Sequence, residues 1–519
     1  MSLRESAVFI AKLGTHLAES LAMILSTAAM KAIEEKAFAA GVLPEVLMEE
    51  AGALIAQAVR QFFQTPGVCL AVFGKGNNGG DALVAARHLA ASGWDVRLVP
   101  AFNEKEWTPL VADKFSGAVG CRRDHAGALL RSTGRPLIVL DGLLGIGAKG
   151  ELREPVAALT RAVNHLRQTA DARVFAIDLP TGLDGDTGTP DPGCIVADTT
   201  LTIGFPKQGL IADAATAYVG RLCVLPLREL NSRLGGVSSV AALATSTELA
   251  PLLMRRGFDT HKGEYGKIGI VAGSTAYMGA AVLCATGALR AGAGLVTLYV
   301  PPEIISAIAP KLPPEIMLAP PQAILAALQK NHDVAVVGPG VGSGRSGELY
   351  NLVEKCTLPM VVDADAINAI ATKPTILNTC AGERILTPHP GEMARLDPES
   401  AKRTRRDTVK AFTQRHPCTL LLKGARTIVG QTGMPFSMNT TGTPGMATGG
   451  NGDVLSGVIA ALLGQRVRPY DAARLGAWLC GRASELAISI GGETEETLTP
   501  SRSLDFLGAA FRELRGRCF

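Results

Sequence analysis

The sequence has no Cys-x-x-Cys pair and no cysteine–histidine cluster at zinc spacing. Its ten cysteines, at 69, 121, 194, 223, 284, 356, 380, 418, 480 and 518, are scattered. That excludes a zinc module and leaves reduced thiols in a cytoplasmic protein as the simplest expectation. Charge of either sign is not in excess: 51 basic residues face 47 acidic ones, for a net charge of +4. A nucleic-acid footprint needs clustered basic side chains, and the densest basic run, "KRTRRD" at 402–407, reads as a solvated helix face. No apolar run approaches the ~18–20 residues of a membrane span. The opening residues mix acids with bases around no continuous apolar stretch, so no secretory signal is expected. Residues 1–22 read as an extension. No short-period repeat runs through the chain, and aromatics are scarce at 5%.

What is abundant is glycine, 58 of 519 residues, set beside Val/Ile-rich runs. That composition suits an α/β protein with tight loops at its strand ends, and the length exceeds one typical core, so at least two domains follow. In the first half the spacing predicts helices over 44–63 and 81–92 and buried strands over 68–74, 96–100, 136–142, 174–180 and 200–206. The pattern weakens over 228–250, where the linker is placed. It restarts with strands over 267–273, 295–300, 334–340, 360–365, 384–390 and 419–424. Short apolar strands separated by helices imply mostly parallel sheets covered on both faces, with ligands at the carboxyl ends of the strands.

The stretch "ATGGNGDVLSG", 447–457, carries the glycines of a phosphate loop before an apolar helix, 453–464. Its acid, Asp453, has two readings at this level. It is a helix cap, or it is a base that accepts the proton of a hydroxyl attacking a phosphoryl group held by main-chain N–H groups. Lys423 and Arg426 in "LKGARTIVG" suit phosphate or adenine, or else a surface hairpin. His389 stands between two stiffening prolines in "ILTPHPGEM". The small-residue helix after "GKIGIVAGS" would let a flat ligand approach Gly279 and Ala280.

The phrases "HKGEYGKIGIVAGS", "GAAVLCATGALRAGAGLV", "VVGPGVG", "VVDADAIN", "LTPHPGEMARL", "LLKGARTIV" and "GTPGMATGGNGDVLSGVIAALL" occur in this order. Together they resemble the nicotinamide-nucleotide-hydrate dehydratases, a ribokinase-like α/β sandwich, over 251–519. The resemblance implies removal of water from hydrated NADH or NADPH at the expense of ADP with Mg²⁺, releasing AMP and phosphate. It makes Asp453 the catalytic acid of GxGD and gives Lys423, Gly424, Ala425, Arg426, Thr427, Gly450 and Gly452 to the nucleotide. Ala280, Gly340, His389 and Asp453 go to the hydrated substrate. Asn451 stands where many relatives have Thr or Ser.

In the first half, "FGKGNNGGDALVAARHL", 73–89, is a glycine loop without the spacing of a dinucleotide fingerprint. Its amides, N–H groups and carboxylate suit phosphate or a hard monovalent cation, or a helix cap by Asp81. Two more polar loops, "LDGLLGIGAKGE" and "AIDLPTGLDGDTG", sit at strand ends, and three on one edge suggest a site. These phrases, with "TLTIGFPKQGL", resemble the epimerase domain often fused to the dehydratase, a Rossmann-like three-layer sandwich, over 23–230. A linker at 231–250 follows. The resemblance implies interconversion of the R and S hydrates. It gives Asn77, Asn78, Gly79, Gly80, Asp81, Gly145, Ile146, Gly147, Ala148, Lys149, Gly150, Glu151 and Asp178 to the substrate, with Asp178 as general acid/base. Asn78, Asp141 and Thr181 would ligate K⁺. Ala82, Ile146 and the pair Glu49–Glu50 depart from the common pattern. The expected partners are small molecules, the hydrated cofactors and ADP, and further copies of the chain in a homo-oligomer, with no nucleic acid and no membrane. The competing readings are a small-molecule kinase in the second half and a binding module without turnover in the first.

Overall fold

The computed structural model describes residues 23–63, 65–124, 136–148, 150–231 and 241–516; the expected extension at 1–22 lies outside them. The chain divides between residues 239 and 240 into two compact units.

The first unit is built on seven strands: β1 (Val68–Phe73), β2 (Asp95–Pro100), β3 (Arg122–Arg123), β4 (Leu137–Gly142), β5 (Arg173–Ile177), β6 (Thr199–Ile203) and β7 (Arg221–Leu225). All pairs are parallel, in the order β3-β2-β1-β4-β5-β6-β7. Alternation along β1 feeds two cores. Cys69, Ala71 and Phe73 pack with Met30, Ile55 and Leu83 from the helices Thr27–Ala39, Pro44–Phe62 and Asn77–Ala91. Val68, Leu70 and Val72 pack with Val156, Leu159 and Val163 from the helix Val156–Thr169. The result is the expected three-layer sandwich. The strand order reverses between β1 and β4, which opens a crevice at their carboxyl ends.

The second unit is built on β8 (Ala241–Ala244), β9 (Lys267–Val271), β10 (Leu295–Tyr299), β11 (Ile316–Ala319), β12 (Val334–Val337), β13 (Met360–Val362), β14 (Arg384–Leu386), β15 (Thr419–Leu422), β16 (Ile428–Gly430) and β17 (Phe436–Asn439). They form one sheet, β11-β10-β9-β12-β13-β14-β15-β16-β17-β8. It is parallel from β11 to β15, then antiparallel through β16 and β17. Its order reverses between β9 and β12.

Residues 241–250, expected to end the linker, belong to this unit instead. β8 pairs in parallel with β17, Ala241 opposite Phe436. "AALA" has no alternating pattern and weak strand propensity, so only the exposed edge of β17 selects it as a strand.

Two glycine-rich loops also proved to be helical. The helices begin at Asn77 rather than 81 and at Asn451 rather than 453. Asn and Gly are poor helix formers, so propensity conceals a first turn that the preceding backbone imposes. The helix Asn451–Gly464 is apolar all round because it is buried all round. It crosses the helix Met278–Arg290 so closely that a Cβ on Gly457 would lie 2.0 Å from Cys284 O.

Candidate functional sites

In the first unit the carboxyl ends of β1, β4 and β5 converge on one chain of hydrogen bonds. Asn78 Nδ2 donates to Leu144 O (2.9 Å), and Leu144 N donates to Thr181 Oγ1 (3.1 Å). Thr181 donates from Oγ1 and N to the two oxygens of Asp141, at 2.7 and 2.8 Å. Asp141 is fully buried, and its described donors are neutral. Burial pushes its carboxyl up to about 6. A buried carboxylate beside hydroxyl and amide oxygens is the donor set that a hard cation suits.

One strand further, Asp178 ends β5 in the left-handed region, φ 66°. Its Oδ1 accepts the buried Lys207 Nζ in an ion pair, and Ile203 N donates to it at 3.2 Å. Lys207 also donates to Thr202 Oγ1 (3.2 Å) and Ile203 O (2.9 Å). Burial, with the Asp178 charge adding to it, raises Glu34 to about 7 and Asp81 well above the usual carboxylate range. Asp81 therefore sits inside the helix, as one of a group of carboxyls, and the cap residue is Gly76. Gly147, Ala148, Gly150 and Glu151 lie exposed, and Lys149 is outside the described residues.

In the second unit the helix Asn451–Gly464 starts at Gly450, which is left-handed (φ 102°) and provides no side-chain cap. Asp453 does not turn back to close its own helix. Asn451 instead braces the loop, donating from Nδ2 to Met446 O (3.0 Å) and Thr448 Oγ1 (3.1 Å). Burial, then the Asp363 charge, raises Asp453 to about 7, against the lowering effect of Lys423. Lys423 Nζ lies 3.0 Å from Asp363 Oδ1 and 3.8 Å from Glu392 Oε2. Burial pulls Lys423 down, but those carboxylates outweigh it and leave it raised. A Cβ on Gly452 would stand 3.1 Å from that ammonium, which brings the glycine loop and the β15 loop together.

At the β9/β12 reversal, Gly340 (φ 62°) packs so closely that its Cβ would lie 2.8 Å from those of Ala280 and Tyr277. His389 is half-exposed, and its Nδ1 accepts from Gly391 N at 3.0 Å, capping the helix Pro390–Leu396. Arg426 is buried, and Thr427 Oγ1 donates to Gly424 O at 3.3 Å. Ala425 is exposed. The "KRTRRD" run is not wholly a solvated face. Arg405 turns inward and donates to Arg426 O (2.9 Å), against the backbone of Gly424.

Four charged residues of these clusters escaped the sequence reading. Asp363 and Glu392 fall in the phrases "VVDADAIN" and "LTPHPGEMARL", and Asp363 stands at the carboxyl end of β13, a position that could have marked it. Lys207 follows Pro206 in "TLTIGFPKQGL". Glu34 lies in "AIEEKA", ahead of the first helix expected from the sequence.

The chain matches a family model described as NAD(P)H-hydrate dehydratase over 268–499 and one described as YjeF-related protein N-terminus over 44–209. It is similar to the bifunctional NAD(P)H-hydrate repair enzyme Nnr of Moorella thermoacetica, at 34% identity over 95% of this chain and 97% of that protein. It is also similar to the enzyme of the same name from Escherichia coli, at 35% identity over 85% of this chain and 84% of that one. Among solved structures, the ADP/ATP-dependent NAD(P)H-hydrate dehydratase from Bacillus subtilis, co-crystallized with ATP/Mg²⁺, is 27% identical with a TM-score of 0.48, over 52% of this chain and 98% of that one.

Proposed function

The chain belongs to the family of bifunctional NAD(P)H-hydrate repair enzymes, and on that premise we propose how its two units divide the work. The first, 23–230, epimerises R and S hydrates of NADH and NADPH. The second, reaching from β8 to the C-terminus, dehydrates the S form at the expense of ADP, giving AMP and phosphate.

The observation that carries the second assignment is the uncapped helix behind Gly450, with Asp453 raised to about 7 beside it. A base poised near neutrality accepts the proton of the substrate hydroxyl as that oxygen attacks the terminal phosphoryl group. Main-chain N–H groups of the Gly449–Gly452 turn hold the migrating phosphoryl oxygens. Lys423, steadied by Asp363 and Glu392, adds positive charge beside them. Arg426 and its neighbours Gly424 to Thr427 face the nucleotide. Ala280, Gly340 and His389 border the hydrated ring. No group of three or more His, Cys, Asp or Glu among the described residues is arranged for a metal. Mg²⁺ needs few protein ligands when it rides on phosphates; Asp363 or Glu392 would share it, and it would neutralise phosphate charge.

In the first unit, Asn78, Asp141 and Thr181 would hold K⁺, whose charge would compensate the buried Asp141. Asn77 to Asp81 and the Gly145–Glu151 loop receive the hydrated nucleotide, and Asp178 faces its ring. The nine described cysteines are all free thiols, which suits a cytoplasmic enzyme, and among the described residues no helix is long and apolar enough to cross a membrane. The proposed homo-oligomer should show as more than one copy by light scattering.

The decisive assay follows absorbance at the reduced-nicotinamide band on a mixture of both hydrates with ADP and Mg²⁺. Full conversion of both epimers with release of inorganic phosphate is expected. A stable phosphoester product, or conversion of one epimer alone, would overturn the assignment.

A further inference from the structure

The helix Thr27–Ala39 is fastened to the carboxyl edge of the first sheet. Thr27 N and Oγ1 donate to Asp186 at 2.7 and 2.6 Å. Just before it, Leu25 N donates to Pro206 O and accepts from Gln208 N through its own carbonyl, both at 2.9 Å, flanking Lys207. A Cβ on Gly204 would lie 3.0 Å from Met30 Cε, so this face of the helix rests on the segment joining Ile203 to Lys207. Glu34 is one turn beyond Met30, on the same face. It is half-buried, and among the described residues it forms no hydrogen bond or ion pair. The charges that act on it are Asp178 and Lys207 across the contact and Lys31 and Glu35 on its own helix, and Glu34 in turn raises Asp81 on the helix Asn77–Ala91.

Lys207 is the buried cation of this cluster. Its three donors are engaged by Asp178, Thr202 and Ile203, so none reaches Glu34 or Asp81. We propose that Glu34 is the proton donor of the epimerase site and Asp178 its proton acceptor, with Lys207, ion-paired to Asp178, as the positioning residue. This rests on the epimerase reading of the first unit. Asp178 is bound to a buried ammonium and Glu34 has no partner among the described residues, a difference in surroundings that suits a base and an acid. Glu34, half-buried and raised to about 7, can give and retake a proton near neutrality.

In a hydrated dihydronicotinamide the hydroxyl sits on a carbon bonded to the ring nitrogen. Glu34 gives its proton to that hydroxyl as the C–O bond breaks and water leaves with the bonding pair. The nitrogen lone pair forms the C=N bond of an iminium. Water then adds to the opposite face, the π pair returns to nitrogen, and the proton shed by the adding water passes to Asp178. Proton exchange through the half-exposed Glu34 restores the starting state. No oxidant, reductant or nucleotide is needed.

The test uses the full chain without nucleotide and follows exchange of the two NADPH-hydrate epimers by NMR across pH. Wild-type exchange should fall as pH rises through about 7. Glu34→Gln should slow exchange by roughly 100-fold or more and abolish that limb. Glu34→Asp should keep the limb at reduced rate. Lys207→Met should displace it, and Lys207→Arg should return it in part, which a merely structural lysine would not do. Circular dichroism melts confirm that each variant is folded. Wild-type exchange with an unchanged rate or unchanged limb in Glu34→Gln would overturn the proposal while leaving the epimerase reading intact. No exchange in the wild-type chain would overturn that reading itself.

Discussion

Both units place one lysine among several carboxyls at the carboxyl edge of a parallel sheet, and they use it in opposite ways. In the first, Lys207 is paired with Asp178, the residue expected to do the chemistry. In the second, Lys423 is paired with Asp363 and Glu392, leaving Asp453 raised to about 7. On the proposed roles, the lysine of the first site braces the base Asp178 and leaves the acid Glu34 without a partner among the described residues, whereas that of the second braces Asp363 and Glu392 and leaves the base Asp453 raised.

The sharpest way to break this comparison is Asp453→Asn. It should lower dehydration by roughly 10³-fold or more, read by absorbance, while epimer exchange proceeds at the wild-type rate. Loss of both activities in a folded variant would sink the separation of roles.

Lys423→Met comes next, with a loss of about 10²-fold. Dehydration needs Asp453 deprotonated, so the wild-type rate should climb with pH through about 7. Lys423 lowers Asp453, so its removal should move that limb to higher pH. An unmoved limb would mean that another group titrates. The epimerase limb should run the other way, so the two pH profiles of one chain should cross near neutrality.

A smaller effect concerns Asp141. Its folded-state value, about 6, lies above the ordinary 3.8. The stability it lends is therefore present below its ordinary range and is lost as pH rises through 6. A cation on the carboxylate offsets that loss. Adding K⁺ at about pH 8 should raise the first unit's melting temperature by on the order of 5 °C, with little effect at about pH 5 and none in Asp141→Asn. Equal shifts with Na⁺ or at both pH values would argue against the site. The smallest effect is Gly340→Ala, which forces a left-handed alanine against Ala280 and Tyr277. It should cost about 1–3 kcal/mol locally and raise KM for the hydrate more than it lowers kcat.

The eleven strands expected from the sequence are all present, each built on an apolar run. The strands not expected include β7, "RLCVL", and two with no apolar alternation. β3 is two exposed arginines and β8 is "AALA". The glycine loops and Asp453 were legible because Gly, Asn and Asp cluster there between an apolar strand and an apolar helix, whereas the grouping of Asn78, Asp141 and Thr181 came from the family resemblance. His389 was legible as a positioned histidine, but not as the cap of its own helix. Arg405 was lost in a charged run.

Residue pattern was enough for the two α/β units, the order of their loops and the acids that stand beside glycine-rich backbone, because periodicity and glycine placement are local properties. Assembly of the strands was needed to pair Lys207 with Asp178 and Lys423 with Asp363 and Glu392, and to lay the helix that carries Glu34 on the segment from Ile203 to Lys207. Proton affinity depends on burial and on charges brought from distant parts of the chain, and neither exists until the strands are assembled side by side.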